Sequence, residues 1–116
     1  MAATQLRPAC PDPHAPAPLD DPVLVTLEQR TADAIIAAIG RSFEESAAPV
    51  AIRDYVRRLR QLDCPPEAVV VHIKRLLARS AQPRLRTAAD RRAFYGLREQ
   101  AILFCIEEYF GGHAEG

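Results

Sequence analysis

Few residues in this chain are equipped for chemistry, and they do not gather into one motif. Arg84, Arg86, Arg91 and Arg92 surround Thr87 where a helix is expected to begin. A helix start exposes backbone N–H groups at the positive end of its dipole, and guanidiniums add bidentate contacts, so this is the strongest anion site the sequence offers. Its functional use would be nucleic acid or a phosphorylated partner; a solvated basic loop would have the same composition. Cys64 stands before two prolines at a helix start, a position that depresses a thiol pKa, but no His or acid is placed beside it by local sequence to complete a nucleophilic site. Cys105 falls in an apolar run and reads as core. Cys10 and His14 could touch a metal, yet two ligands on a flexible tail make a weak site, and His113 adds little, so neither metal nor cofactor is expected.

The carboxylates give no catalytic pattern. Glu44-Glu45 and Glu107-Glu108 are adjacent in sequence, so on a helix they diverge and lack the i, i+3 or i, i+4 spacing of a carboxylate metal bundle. The five glycines are scattered or terminal and form no phosphate-cradling loop. His72 and Lys74 on one helix resemble histidine phosphotransfer domains in that alone, since Ile73, Arg75 and Leu76 replace the small residues that would follow the histidine. His72 is expected at a boundary or surface position. No enzyme is expected.

Composition sets the frame for these residues. A chain of 116 residues is one domain at most. With 48% hydrophobic residues it suits a globular protein, and without tryptophan the core must be mainly aliphatic. Three cysteines, Cys10, Cys64 and Cys105, are an odd number without clustered spacing, which argues against a disulfide framework and for a reducing cytosol. Arg, Ala and Pro are abundant and Lys74 is the single lysine, a bias that fits GC-rich coding and a bacterial source. The first twenty residues carry no apolar signal core, and no run approaches the roughly 20 apolar residues that span a bilayer. The expectation is a cytoplasmic protein without a membrane partner.

The elements follow from apolar periodicity and from proline. Residues 1–21 hold five of the ten prolines and are expected as a disordered or polyproline-like leader. A first helix is clearest from Thr26, where Thr26 and Gln29 have capping-box spacing, with an alternative start at Asp21 as N-cap and Pro22 in the first turn. Ala32, Ile35, Ile36, Ile39 and Phe43 form its buried stripe. Pro49 opens a second helix with Val50 or Ile52, Tyr55, Val56, Leu59 and Leu62 inward. Asp63 or Cys64 caps a third, with Val69, Val70, Ile73, Leu76 and Leu77 inward. Thr87 and Asp90 start a fourth that runs to about Phe110 before Gly111-Gly112. Phe94, Leu97, Ala101, Phe104 and Cys105 make one stripe there, and Ile102, Leu103 and Ile106 widen it until the middle is apolar nearly all round.

Four helices with short connections predict an all-α fold, a small antiparallel four-helix bundle, over residues 22–112, behind the leader 1–21 and before a flexible tail at 113–116. Net charge is zero, but residues 52–98 hold twelve basic and four acidic groups. In an up-down-up-down bundle the acidic ends Glu44-Glu45 and Glu107-Glu108 would lie beside the basic ends of helices three and two, which explains much of the basic excess without nucleic acid. Helices two and three joined by a short turn are similar to a helix-turn-helix, but Val69, Val70 and Ile73 commit the second of them to a core and base-reading side chains are lacking. The leading functional expectation is a non-catalytic helical protein–protein interaction or regulatory module, with Ile102, Leu103 and Ile106 as contact surface for a protein partner or a homodimer. The alternative is a nucleic-acid-binding regulator using the Arg-rich segment 52–98.

Overall fold

The structure is a computed structural model and describes residues 10–11, 21–80 and 82–111. The expected tail at 113–116, and the leader apart from Cys10 and Pro11, lie outside the described residues. Among the described residues four α-helices make up the fold: α1 (Pro22–Ala38), α2 (Ala48–Gln61), α3 (Pro66–Ser80) and α4 (Ala88–Gly111), with a 3-10 turn at Gln82–Arg84.

Helix α1 begins at the earlier of its two expected starts. Asp21 is the N-cap, its Oδ1 accepting from the Leu24 N–H at 2.9 Å, and Pro22 fills the first turn, where a missing N–H is not needed. Thr26 lies inside the helix and returns its hydroxyl to the Pro22 carbonyl. The helix also stops sooner than the apolar stripe suggests. Gly40, at φ +83°, turns the chain, so Phe43 reaches the core from the α1–α2 connection and stacks edge-on against Phe104.

Asp21 also ion-pairs with Arg58 near the end of α2. The Arg58 hydrogen bond, ahead of the Leu24 N–H and the guanidinium charge, holds the Asp21 carboxyl below its ordinary range despite partial desolvation. A depressed folded-state pKa stabilises the fold above the unfolded value, near pH ~4, and the gain is lost as pH falls through the folded value. Asp21→Ala is therefore expected to lower the unfolding free energy by about 1–2 kcal/mol at neutral pH and to flatten the acid limb of the stability profile. Asp21→Asn, which keeps a cap, should recover part of the neutral-pH loss; urea melts from pH 3 to 7 would measure both.

One interior unites the four helices. Ile35, Ile52, Tyr55, Leu59, Val69, Ile73, Leu77, Ala101 and Cys105 are all essentially inaccessible, and Phe104 packs against them half-buried. Of the two stripe positions open at the start of α2, Ile52 points in and Val50 points out. Helices α1 and α2 run antiparallel, with Asp21 against Arg58 at one end and Thr31 against Ala51 in the middle. Small residues Ala48 and Ala51 allow that close approach, and the buried Thr31 hydroxyl is satisfied by the Leu27 carbonyl at 2.7 Å.

The packing order around the bundle differs from the simplest up-down-up-down ring. Helix α2 packs against α1 and α4, and α3 also packs against α1 and α4, which leaves α2 and α3 diagonal. The expected neutralisation of helix ends is not met as drawn: the ends of α2 and α4 come together, but Arg58 in the last turn of α2 takes Asp21 and the α4 carboxylate finds an arginine earlier in α2. Glu108 of α4 faces Arg53 of α2 at 3.6 Å, and Arg60 lies over the Tyr109 ring. Glu44 and Glu45, however, fall in the connection after α1, and Arg79 at the end of α3 takes Glu28 instead, at 3.1 Å. Glu28 also accepts from the buried Tyr55 hydroxyl at 3.1 Å, and burial followed by the Glu28 charge pushes that phenol well above its ordinary pKa. One carboxylate on α1 thus links α2 and α3.

Candidate functional site

The corner between α2 and α3 gathers the chemistry that the sequence scatters. Helix α2 ends in a Schellman turn: the Cys64 N–H bonds to the Leu59 carbonyl and the Asp63 N–H to the Arg60 carbonyl, with Asp63 left-handed at φ 64°. Aspartate tolerates that conformation better than most residues do. The chain then enters Pro65-Pro66, and the Pro65 carbonyl accepts the first α3 bonds, from Ala68 and Val69. Cys64 is therefore not the helix N-cap; it sits before it, buried, on a backbone fixed from both sides. Its carbonyl accepts from the Tyr109 hydroxyl of α4 at 2.7 Å.

Cys64 is bonded to Cys10 of the leader, with Cα atoms 4.8 Å apart. This corrects the expectation that the cysteines remain unpaired. An odd count left one cysteine over, Cys105, but did not prevent the other two from meeting across 54 residues. His72 completes the cluster. It is buried rather than on the surface, and its Nε2 donates to the Pro11 carbonyl at 2.9 Å. The Cys10 sulfur, the Cys64 sulfur and a ring nitrogen of His72 lie within 4.8 Å of one another. The sequence paired Cys10 with His14 and His72 with Lys74, and no spacing in it points to this set. Cys10 lies in a proline-rich stretch without periodicity, so no local pattern points it toward α3. His14, considered with Cys10 as a metal ligand, lies outside the described residues.

Cys105 is core, as its apolar run suggests. Burial pushes its thiol up to about 12, which keeps it protonated and unreactive.

The arginines at the start of α4 are all exposed, and Arg84, Arg86, Arg91 and Arg92 make no ion pair among the described residues. The helix start itself is already occupied. The Asp90 N–H bonds to the Thr87 hydroxyl at 3.0 Å, and the Asp90 carboxylate accepts from the Arg86 N–H at 3.3 Å. An anion here would meet guanidiniums together with a resident carboxylate.

Helix α4 has one buried side and an outer side on which four apolar residues share their sector with the exposed Arg92 and Glu99. Phe94, Leu97, Ala101 and Cys105 face the core, and Ile102 is half-buried against it. Tyr95, Leu103, Ile106 and Phe110 are exposed, by 53%, 60%, 37% and 56%. At about 100° per residue those four fall within a sector of about 80°, directly opposite the buried side. Of the three residues expected to form a contact surface, Leu103 and Ile106 belong to this outer stripe and Ile102 borders it. Gly96 lies about 20° beyond that sector, next to Leu103, and a Cβ added there would meet nothing within 4 Å.

No helix among the described residues is long and apolar enough to cross a membrane. Compared with known protein families, with curated proteins and with solved structures, the chain matches none.

Proposed function

We propose that this chain is a non-catalytic helical interaction or regulatory module that acts in the cytoplasm, that its contact surface is the outer stripe of α4, and that the stripe's occupant is a second copy of the chain. The observation that carries this reading is the row Tyr95, Leu103, Ile106 and Phe110, aimed away from a core that α4 already completes on its other side. Gly96 supports it. A glycine inside a helix forgoes about 1 kcal/mol relative to alanine, and the chain's own packing gives no steric reason to keep one there.

A second copy of α4 laid antiparallel supplies that reason. With Leu103 of one copy opposite Gly96 of the other, Arg92 comes opposite Glu107, because both pairs share the same midpoint along the helix. Large meets small and basic meets acidic, twice over, around a two-fold axis that passes between Glu99 and Gln100 and so sets the two Glu99 side chains near each other.

Light scattering coupled to size exclusion tests this. The wild-type chain should run as a dimer at tens of micromolar, and Leu103→Glu should run as a monomer with unchanged helicity by circular dichroism. Gly96→Gln should weaken the dimer at least tenfold while leaving the isolated fold as stable or up to about 1 kcal/mol more so. A wild-type chain that is monomeric at every concentration removes the reading. Salt-sensitive retention on DNA or RNA, lost when Arg84, Arg86, Arg91 and Arg92 are neutralised, would replace it with nucleic-acid binding.

A further inference from the structure

We propose that in its reduced form the Cys10, Cys64 and His72 cluster is a binding site for one zinc-class divalent ion, so that the α2–α3 corner alternates between a disulfide and a metal centre. A tetrahedral zinc site with two thiolates and an imidazole places its ligand atoms about 3.5–3.8 Å apart. The three candidate atoms already lie within 4.8 Å of one another, and two sulfurs freed from their bond move apart to that same non-bonded range.

His72 is what points beyond a plain disulfide. A disulfide needs no imidazole beside it, and burying one costs desolvation. His72 is one of two buried polar residues of the described chain, the other being Thr31. The His72 ring is held by a backbone carbonyl from the very segment that carries Cys10, and a carbonyl of this kind is a usual outer support for a ligating histidine. Cys64 is equally prepared, its N–H and carbonyl both committed to neighbouring elements. Three protein ligands leave the fourth position to water.

The conversion balances with a low-molecular-weight thiol as reductant. Two equivalents break the Cys10–Cys64 bond; its sulfurs gain two electrons and two protons, and the reductant leaves as its own disulfide. Metal binding releases the two protons as the thiols become thiolates, so affinity must fall as pH is lowered.

The test uses the full chain, reduced under anaerobic conditions and titrated with cobalt(II), then with zinc in competition with a chromogenic chelator. Reduced wild type should take up one cobalt with thiolate-to-metal charge-transfer absorption, which zinc abolishes. Oxidised wild type should show neither. Cys10→Ser, a change outside the helical core, should lose the charge-transfer band while keeping its helicity. His72→Gln should bind at least about tenfold more weakly, yet still form the disulfide on oxidation. The proposal fails on any of three results: a folded, reduced wild-type chain that binds no stoichiometric metal; the same spectrum from the oxidised chain; or an affinity that His72→Gln leaves unchanged.

Discussion

Leu59→Ala is expected to lower the unfolding free energy by about 2–5 kcal/mol, a large share of what a domain of this size possesses. Leu59 is wholly inaccessible on α2, the helix that packs against both α1 and α4, so neither neighbour can close the void without leaving other contacts. The loss combines the transfer free energy of the removed methyl groups with the cavity left behind. In urea the midpoint should move down by about 1–3 M with little change in slope. Leu59→Met, which conserves volume, should cost less than about 1.5 kcal/mol. A loss under about 1 kcal/mol for the alanine variant would place Leu59 outside a shared interior and overturn the packing of α2 described above.

Opening the disulfide should be nearly as costly. Cys10 and Cys64 close a loop across 54 residues, and the chain-entropy relation for a loop of that length gives about 4 kcal/mol. With a chelator present to remove any metal, a thiol reductant should lower the wild-type melting temperature by roughly 15–30 °C. Cys10→Ser should melt at the lower temperature with or without reductant. A wild-type transition that ignores the reductant would mean that the leader is not tethered to the α2–α3 corner. Where a cytoplasmic thiol pool keeps both sulfurs reduced, the proposed metal would restore part of this tether.

The helices were legible because each carries its own local signals. Asp21-Pro22, Thr87 with Asp90 and the Pro65-Pro66 pair are cap chemistry written within four residues, and the structure uses all three. Thr26 misled because its capping-box spacing also occurs inside a helix, where the hydroxyl simply bonds back one turn. The ring order of the bundle was not legible. Short connections suggested that consecutive helices are neighbours, but the left-handed Asp63 and the two prolines redirect the chain so that α3 lies diagonal to α2.

The chemical cluster was legible least of all. Periodicity reports which face of a helix is buried, and Cys10 lies on no helix; its partner is set by where Cys10 and Pro11 meet the finished bundle. The outer stripe of α4 was half legible. Leu103 and Ile106 were visible as excess apolar residues, but which side of an all-round apolar helix faces outward depends on where α2 and α3 come to rest.

Cys105 gives the protein a built-in silent background for alkylation assays. Shielded from solvent and held as a neutral thiol by its raised pKa, it should ignore a maleimide under native conditions. Adducts then report on the joined pair alone: none while Cys10 and Cys64 are bonded, and labelling at Cys10, the less buried of the two, once they are open.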